Sequence, residues 1–212
     1  MSPIKYHKIS DFEKNCLAIY LTVCVFCSIN PFFRSVWLVK NITVWLFLIL
    51  VIYVRLYHCQ LSRTSILLIT IACILHTIGG YYTFSHVPFG KYLFLLGELG
   101  RNNFDRLGHF FCGTLVYPLL DVSKQRKLFS NQFIMFIFAI FAMMGVAAIY
   151  ELFEWLDFII AEKQHAELFI GNKLDHWDPH ADMLNCLVGS IFFSILFFLK
   201  YKNTKHSTIL NK

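Results

Sequence analysis

Two short polar stretches interrupt otherwise apolar sequence: Asp105-Arg106-Leu107-Gly108-His109-Phe110 and Tyr150-Glu151-Leu152-Phe153-Glu154-Trp155. A third, from Asp175 to Asn185, carries His176, Asp178, His180 and Asp182. On a helix Asp105 and His109 stand one turn apart on one face, as do Glu151 and Glu154. Asp178, Asp182, Asn185 and Gly189 also share a stripe if their helix starts early, and Pro179 suits its first turn.

One imidazole among several carboxylates in apolar surroundings offers two chemistries. A protonated glutamate beside a histidine is a general acid–base pair, with Glu151 or Glu154 as acid or base and His109 as its partner. In that arrangement Asp105 and Asp182 orient the pair or hold a metal. Ionised carboxylates with histidine instead suit a divalent metal, with His109, Glu154, Asp178 and Asp182 as the ligand set. Asn185, Tyr82 and His86 are the supporting polar groups. Both readings stay open at this level. Two acids one turn apart repel when ionised, so the glutamate pair calls for a shared proton or a neighbouring cation.

Plainer roles compete for several of these residues. Asp105 lies beside Arg106 and near Arg101, which fits an interfacial charge network. His76, alone in an apolar run, reads as a hydrogen-bonding group between helices. His176 and His180 read as loop histidines, with Trp155 and Trp177 as anchors at the membrane interface. The glutamate pair resists such a reading, because an apolar span gains nothing from two acids one turn apart.

The elements that must position these groups follow from composition. The chain is 57% hydrophobic, 17% aromatic and 15% charged, with 23 phenylalanines, against about 25% charged in soluble domains. Lipid is the solvent such a chain expects. The formal charge of +6 does not indicate nucleic acid, because the basic residues flank the apolar runs and form no patch. The seven cysteines lie in or beside those runs and read as small apolar fillers. Cys24 and Cys27 have the C-x-x-C spacing but no second pair.

The expected fold is a single all-α transmembrane domain with six spans, at about residues 16–33, 42–57, 64–84, 104–120, 133–160 and 183–199. Asp11 and Glu13 precede the first span and no Ala-x-Ala site follows it, so it reads as a retained helix and not a cleaved signal. Gly79-Gly80 would kink the third span or admit a close neighbour. The apolar patch at residues 92–96 is long enough for the interface but too short to span. Six spans put twelve of the 19 lysines and arginines on the side of the two termini, which places both termini in the cytoplasm. The three polar stretches then converge on the extracytoplasmic face.

Gly79-Gly80-Tyr-Tyr-Thr-Phe-Ser-His86-Val-Pro88, Arg101-Asn-Asn-Phe-Asp105-Arg-Leu-Gly-His109-Phe110, Tyr150-Glu-Leu-Phe-Glu154-Trp155 and Trp177-Asp178 to Asp182-Met183 occur in this order. Together they resemble the bacterial YjdF-type inner-membrane proteins, across most of the chain from Thr64 to Gly189. The resemblance implies a multi-span inner-membrane protein of a family without an assigned activity. Pro179-His180 departs from the family's pattern, which favours a polar residue such as glutamine there. More loosely, the Asp-x-x-x-His-Phe, Glu-x-x-Glu and Asp-to-Asn series is similar to VanZ-like membrane proteins, in which the second acidic position is commonly glutamine.

Three functions fit the sequence. The first is a membrane enzyme acting on an envelope or lipid-linked small molecule at the outer leaflet. The second is a small proton-coupled transporter with the same acids as its relay. The third is a non-catalytic scaffold whose polar network fixes helix register. No duplicated half points to a transporter, and no nucleophile elbow, HExxH or P-loop names an enzyme class.

Overall fold

The computed structural model describes residues 8–93, 101–160 and 177–210. Seven α-helices follow one another among them: α1 (Asp11–Ile29), α2 (Arg34–Tyr57), α3 (Arg63–Tyr81), α4 (Phe104–Thr114), α5 (Val116–Gln125), α6 (Gln132–Ile160) and α7 (Asp178–Leu210). A single 3-10 turn covers Gly90–Tyr92. Five of the helices, α1, α2, α3, α6 and α7, are long and apolar enough to cross a membrane. His176 and residues 94–96 of the expected interfacial patch lie outside the described residues.

The stretch expected as the fourth span is broken. α4 ends at Thr114, and α5 starts two residues later at Val116. Pro118 supplies the reason, since it offers no N–H to the Thr114 carbonyl and its ring crowds that oxygen. The chain answers by tightening at Leu115, whose N–H turns to Cys112 and Gly113. The last helix is longer than the apolar pattern indicated and runs on through the lysine-rich tail as far as Leu210.

Local sequence explains where the helices begin. Ser10 and Glu13 form a reciprocal capping box at the start of α1, so one of the acids that argued against a signal peptide, Glu13, accepts a free N–H there, while Asp11 pairs with Lys14. Glu13 also accepts from Arg55 at the far end of α2. Ser62 caps α3, and its own N–H donates to Asp121 at 2.7 Å. Asp121 further accepts from Ser65 Oγ at 2.8 Å and Gln125 Nε2 at 3.0 Å, tying α5 to the start of α3. These contacts gather the N-terminus of α1, the α2–α3 connection and the C-terminus of α5 at one end of the bundle.

The bundle is turned inside out relative to a soluble protein. On α6 the buried stripe is Met135, Ala139, Met143 and Ala147, at i+4 spacing. On α7 it is Asp182, Cys186, Ser190 and Ser194, again at i+4. Small and polar residues therefore face inward, while Phe133, Phe141, Ile149, Leu152 and Phe192 are exposed. Lipid-solvated helices gain little from burying large apolar groups, so their contacts favour residues that let backbones approach.

Two glycine pairs set those approaches. A Cβ at Gly113 would run into the Cys186 carbonyl, and one at Gly189 into the Phe110 carbonyl. α4 and α7 thus cross almost backbone to backbone, and Ser190 Oγ donates to Cys186 O at 2.8 Å and Gly113 O at 3.3 Å. At the end of α3, a Cβ on Gly79 would lie 2.5 Å from the Phe84 ring, and one on Gly80 would meet Asn41 Nδ2 at 3.3 Å. The helix does not kink at Gly79-Gly80. It ends one residue later at Tyr81, Thr83 (φ 53°) and Phe84 (φ 58°) then take left-handed conformations, and Phe84 N–H donates to Gly79 O at 2.6 Å. Each of these two residues costs about 1–3 kcal/mol of strain, and the turn folds Phe84 back into the bundle, where it is 3% exposed.

Replacing Gly113 or Gly189 with valine should therefore wedge α4 from α7 and lower stability by at least about 1–3 kcal/mol. Gly145, with nothing within 4 Å of an added Cβ, should accept alanine at no cost. Thermal melting of the detergent-purified variants checks the contrast.

Candidate functional site

The opposite end of the bundle collects the polar stretches. It is built from the start of α2, the end of α3, the start of α4, the end of α6 and the start of α7. On α6 the i+4 spacing of the buried stripe continues beyond Ala147 to Glu151, which is half-buried and faces His109. Glu154 follows one turn on and is 7% exposed. On α7 the same logic places Asp178 and Asp182 inside, at 8% and 2% exposure.

Each carboxylate has a different neighbour. Glu154 Oε1 accepts from Lys40 Nζ at 2.9 Å, in an ion pair that is all but sealed from solvent. Asp178 binds Arg101, with Arg106 Nη2 at 3.9 Å. Glu151 Oε1 lies 3.1 Å from His109 Nε2, close but not aligned as a hydrogen bond, and has no hydrogen-bond partner among the described residues. Asp105 Oδ1 lies 3.9 Å from the same nitrogen. Asp105, His109 and Asp182 each present one ligand-type atom, and these atoms lie within 4.8 Å of one another. Among the described residues, His109 Nδ1 and Asp182 Oδ1 are buried without hydrogen-bond partners.

Aromatic groups wall the cluster. The Tyr150 ring stands edge-on between His76, at 5.8 Å, and His109, at 5.7 Å. Phe84 packs on His76 at 5.3 Å and receives the Lys40 ammonium 4.4 Å above its face. This is the purpose of the turn after Gly79-Gly80: it supplies a cation–π face and a lid of hydrocarbon over the Lys40–Glu154 pair.

Of the expected ligand set, Glu154 and Asp178 pair with cations, while His109 and Asp182 lie with Asp105 in one metal-type group and Glu151 stands beside it. Arg101 and Arg106 both meet Asp178. Asn185 donates to Ala181 O at 2.9 Å on its own helix. His86 Nδ1 lies 2.9 Å from Thr83 Oγ1, and its ring stacks on Phe32 at 5.4 Å, with Tyr82 nearby at 6.0 Å from the same phenylalanine. These two support the left-handed turn. His180 and Trp177 pack on each other at 5.3 Å, and Trp177 is exposed.

Sequence reading overlooked Lys40 and Tyr150. Lys40 falls before Ile42, where the apolar run begins, and so resembles a loop charge. α2 in fact starts at Arg34, and Val36, Lys40 and Val44 form a buried i+4 stripe. That spacing is the signal that could have found it. Tyr150 is adjacent to Glu151 in sequence but reads as one more aromatic residue in a run rich in them.

A family profile described as "Predicted membrane protein (DUF2238)" matches residues 13–203. The chain belongs to that family. It is 28% identical over 180 residues to the inner membrane protein YjdF of Escherichia coli (strain K12), covering 84% of this chain and 85% of that protein. No solved structure matches the chain. The chain is a multi-pass membrane protein, in keeping with its five long apolar helices and an inner-membrane relative. Neither finding bears on the looser similarity to VanZ-like proteins.

The Lys40–Glu154 pair makes a sharp prediction. Lys40→Met or Glu154→Met should each cost about 3–5 kcal/mol by stranding a buried charge, whereas Lys40→Met with Glu154→Met should return to near parental stability. Melting of the two single variants and the double variant, with the coupling energy from the cycle, measures this.

Proposed function

We propose that the protein is an integral-membrane enzyme. It holds a divalent metal on Asp105, His109 and Asp182 and uses Glu151 as general base, with a lipid-linked or envelope small molecule as substrate. The observation that carries this reading is the approach of those three side chains to within 4.8 Å of one another, with His109 and Asp182 buried and short of hydrogen bonds. Buried polar atoms without partners are costly, and one cation would satisfy several at once. Two carboxylates and one imidazole suit a hard-to-borderline divalent ion.

The chemistry follows from the neighbours. A metal at this point polarises a substrate oxygen or lowers the pKa of bound water. Glu151, 3.1 Å from His109 Nε2, stands where it can accept the proton of a water attacking the substrate. Glu154 is taken by Lys40 and holds the site together, so its part is positioning. Purified parent protein should take up one equivalent of manganese or zinc and melt at a higher temperature with it; a hundredfold excess over Kd corresponds to about 2.7 kcal/mol. His109→Ala and Asp182→Asn should abolish uptake, while Glu151→Gln retains it. A parent that neither binds metal nor changes its melting temperature would count against the metal centre.

The site lies at the extracytoplasmic face. Lys8, Lys14, Arg55, Arg63, Lys124 and Lys200 sit at the end of the bundle away from it, and the positive-inside bias puts that end, with both termini, in the cytoplasm. A reporter fused after Lys212 should read as cytoplasmic, and a cysteine placed at Trp177 should react with an impermeant thiol reagent from outside. The opposite labelling would turn the site to the inner leaflet.

A further inference from the structure

A cavity of about 540 Å³ runs along the bundle from the polar site. α3, α4 and α5 form its floor through Cys73, Cys112 and Leu119. Its two walls are α2, through Phe47, Leu50 and Val51, and α6, through Ala142 and Val146. Leu50 is 57% exposed and Val146 49%. These residues on the two rims therefore face outward, and the cavity is a groove open sideways to the bilayer.

The lining is polarised along its length. Asp105, His109, His76 and Tyr150 line one end, and Leu61, Val54 and Val122 the other. Along α2 the lining runs from Thr43 to Val54, a rise of about 16 Å at about 1.5 Å per residue. This is close to half of the roughly 30 Å hydrocarbon core, the depth of one leaflet. An apolar groove of this kind loses dispersion contacts unless hydrocarbon fills it, and Asp105 and His109 at its polar end belong to the cluster with Asp182. A divalent cation held by that cluster would take a phosphate oxygen as a further ligand.

We propose that this groove binds one acyl chain of an anionic membrane phospholipid, entering between α2 and α6, with its phosphate-bearing head group at the Asp105–His109–Asp182 cluster. The placement of the head group rests on the metal reading of that cluster; the placement of the chain does not. A polyisoprenoid is much longer than one leaflet is deep and would leave most of its tail outside the groove. The groove fits ligand-site volumes generally, and its side entry lets a lipid reach the site without leaving the membrane.

The test uses delipidated, detergent-solubilised parent protein with dipalmitoyl phosphatidylglycerol, manganese and native mass spectrometry. The parent should retain one phospholipid. Val51→Trp and Ala142→Trp, which fill the groove from opposite walls, should each lower retention at least tenfold. Leu46→Trp, on the outward face of α2 at 62% exposure, should behave as the parent. All three variants should still take up manganese. A phosphatidylglycerol with a diazirine at its chain end should label the unmodified parent around Leu61 and Val122, which requires no variant to fold. Retention unchanged by both groove variants, labelling spread evenly over outward residues such as Leu46 and Phe141, or preferential retention of undecaprenyl phosphate would each overturn the proposal. A parent that holds phospholipid, loses it on Val51→Trp and takes up no manganese would overturn the metal centre and keep the chain in the groove.

Discussion

A charge inside a lipid-solvated bundle must be neutralised within the protein, and the Lys40–Glu154 pair is where this constraint bears hardest. Both groups are shut away from solvent at the junction of α2 and α6. An unpaired ammonium or carboxylate there is costly, so the two helices are pinned at this one height. Pinning Glu154 fixes the rotation of α6, and with it the direction of Tyr150 and Glu151. The aromatic face of Phe84 over the ammonium adds a second reason for the turn after α3 to keep its strained shape. The pair is thus a positioning device for the neighbouring cluster.

The other side of the cluster is positioned by backbone contact. Asp105 and His109 belong to α4, and Asp182 to α7; these helices cross where Gly113 meets Cys186 and Gly189 meets Phe110. Close crossing at those two points leaves little freedom one turn further on, where the three side chains face one another. The break at Leu115 lets α4 keep that crossing while α5 bends away to anchor Asp121 against α3. A straight helix from Phe104 to Gln125 could not serve both contacts as readily, so Pro118 has a clear architectural role.

Separation of charge along the bundle gives the molecule its functional direction. The end near the termini carries Glu13–Arg55, the Asp121 network and Lys200 on Thr64 Oγ1, and there Arg55 Nη1 is buried without a hydrogen-bond partner. The other end carries the Arg101–Asp178 and Lys40–Glu154 pairs around His109 Nδ1, Glu151 Oε1 and Asp182 Oδ1, which have none among the described residues. Three such atoms in one cluster, beside a groove open to the bilayer, suit a site that meets an amphiphile from the side. A polar network serving only helix register would be expected to satisfy its own groups.

Much of this could be read from the chain alone. Composition and the spacing of apolar runs determined the solvent and the fold class, because a backbone in lipid has few ways to satisfy itself. The i+3 and i+4 spacing of the acids and His109 picked out the residues of the site, since helical periodicity is a local property. The pairing of charges was beyond such a reading. Lys40 and Glu154 are 114 residues apart, and nothing local distinguishes a lysine that will be buried from one at a helix end. The contact of Asp178 with Arg101, and of Asp105 with His109 and Asp182, follows from the crossing of α4 and α7. The groove, too, exists only because α2 and α6 meet at one height and part below it. Periodicity dictates which face of a helix is polar; which polar faces meet depends on where backbones can touch.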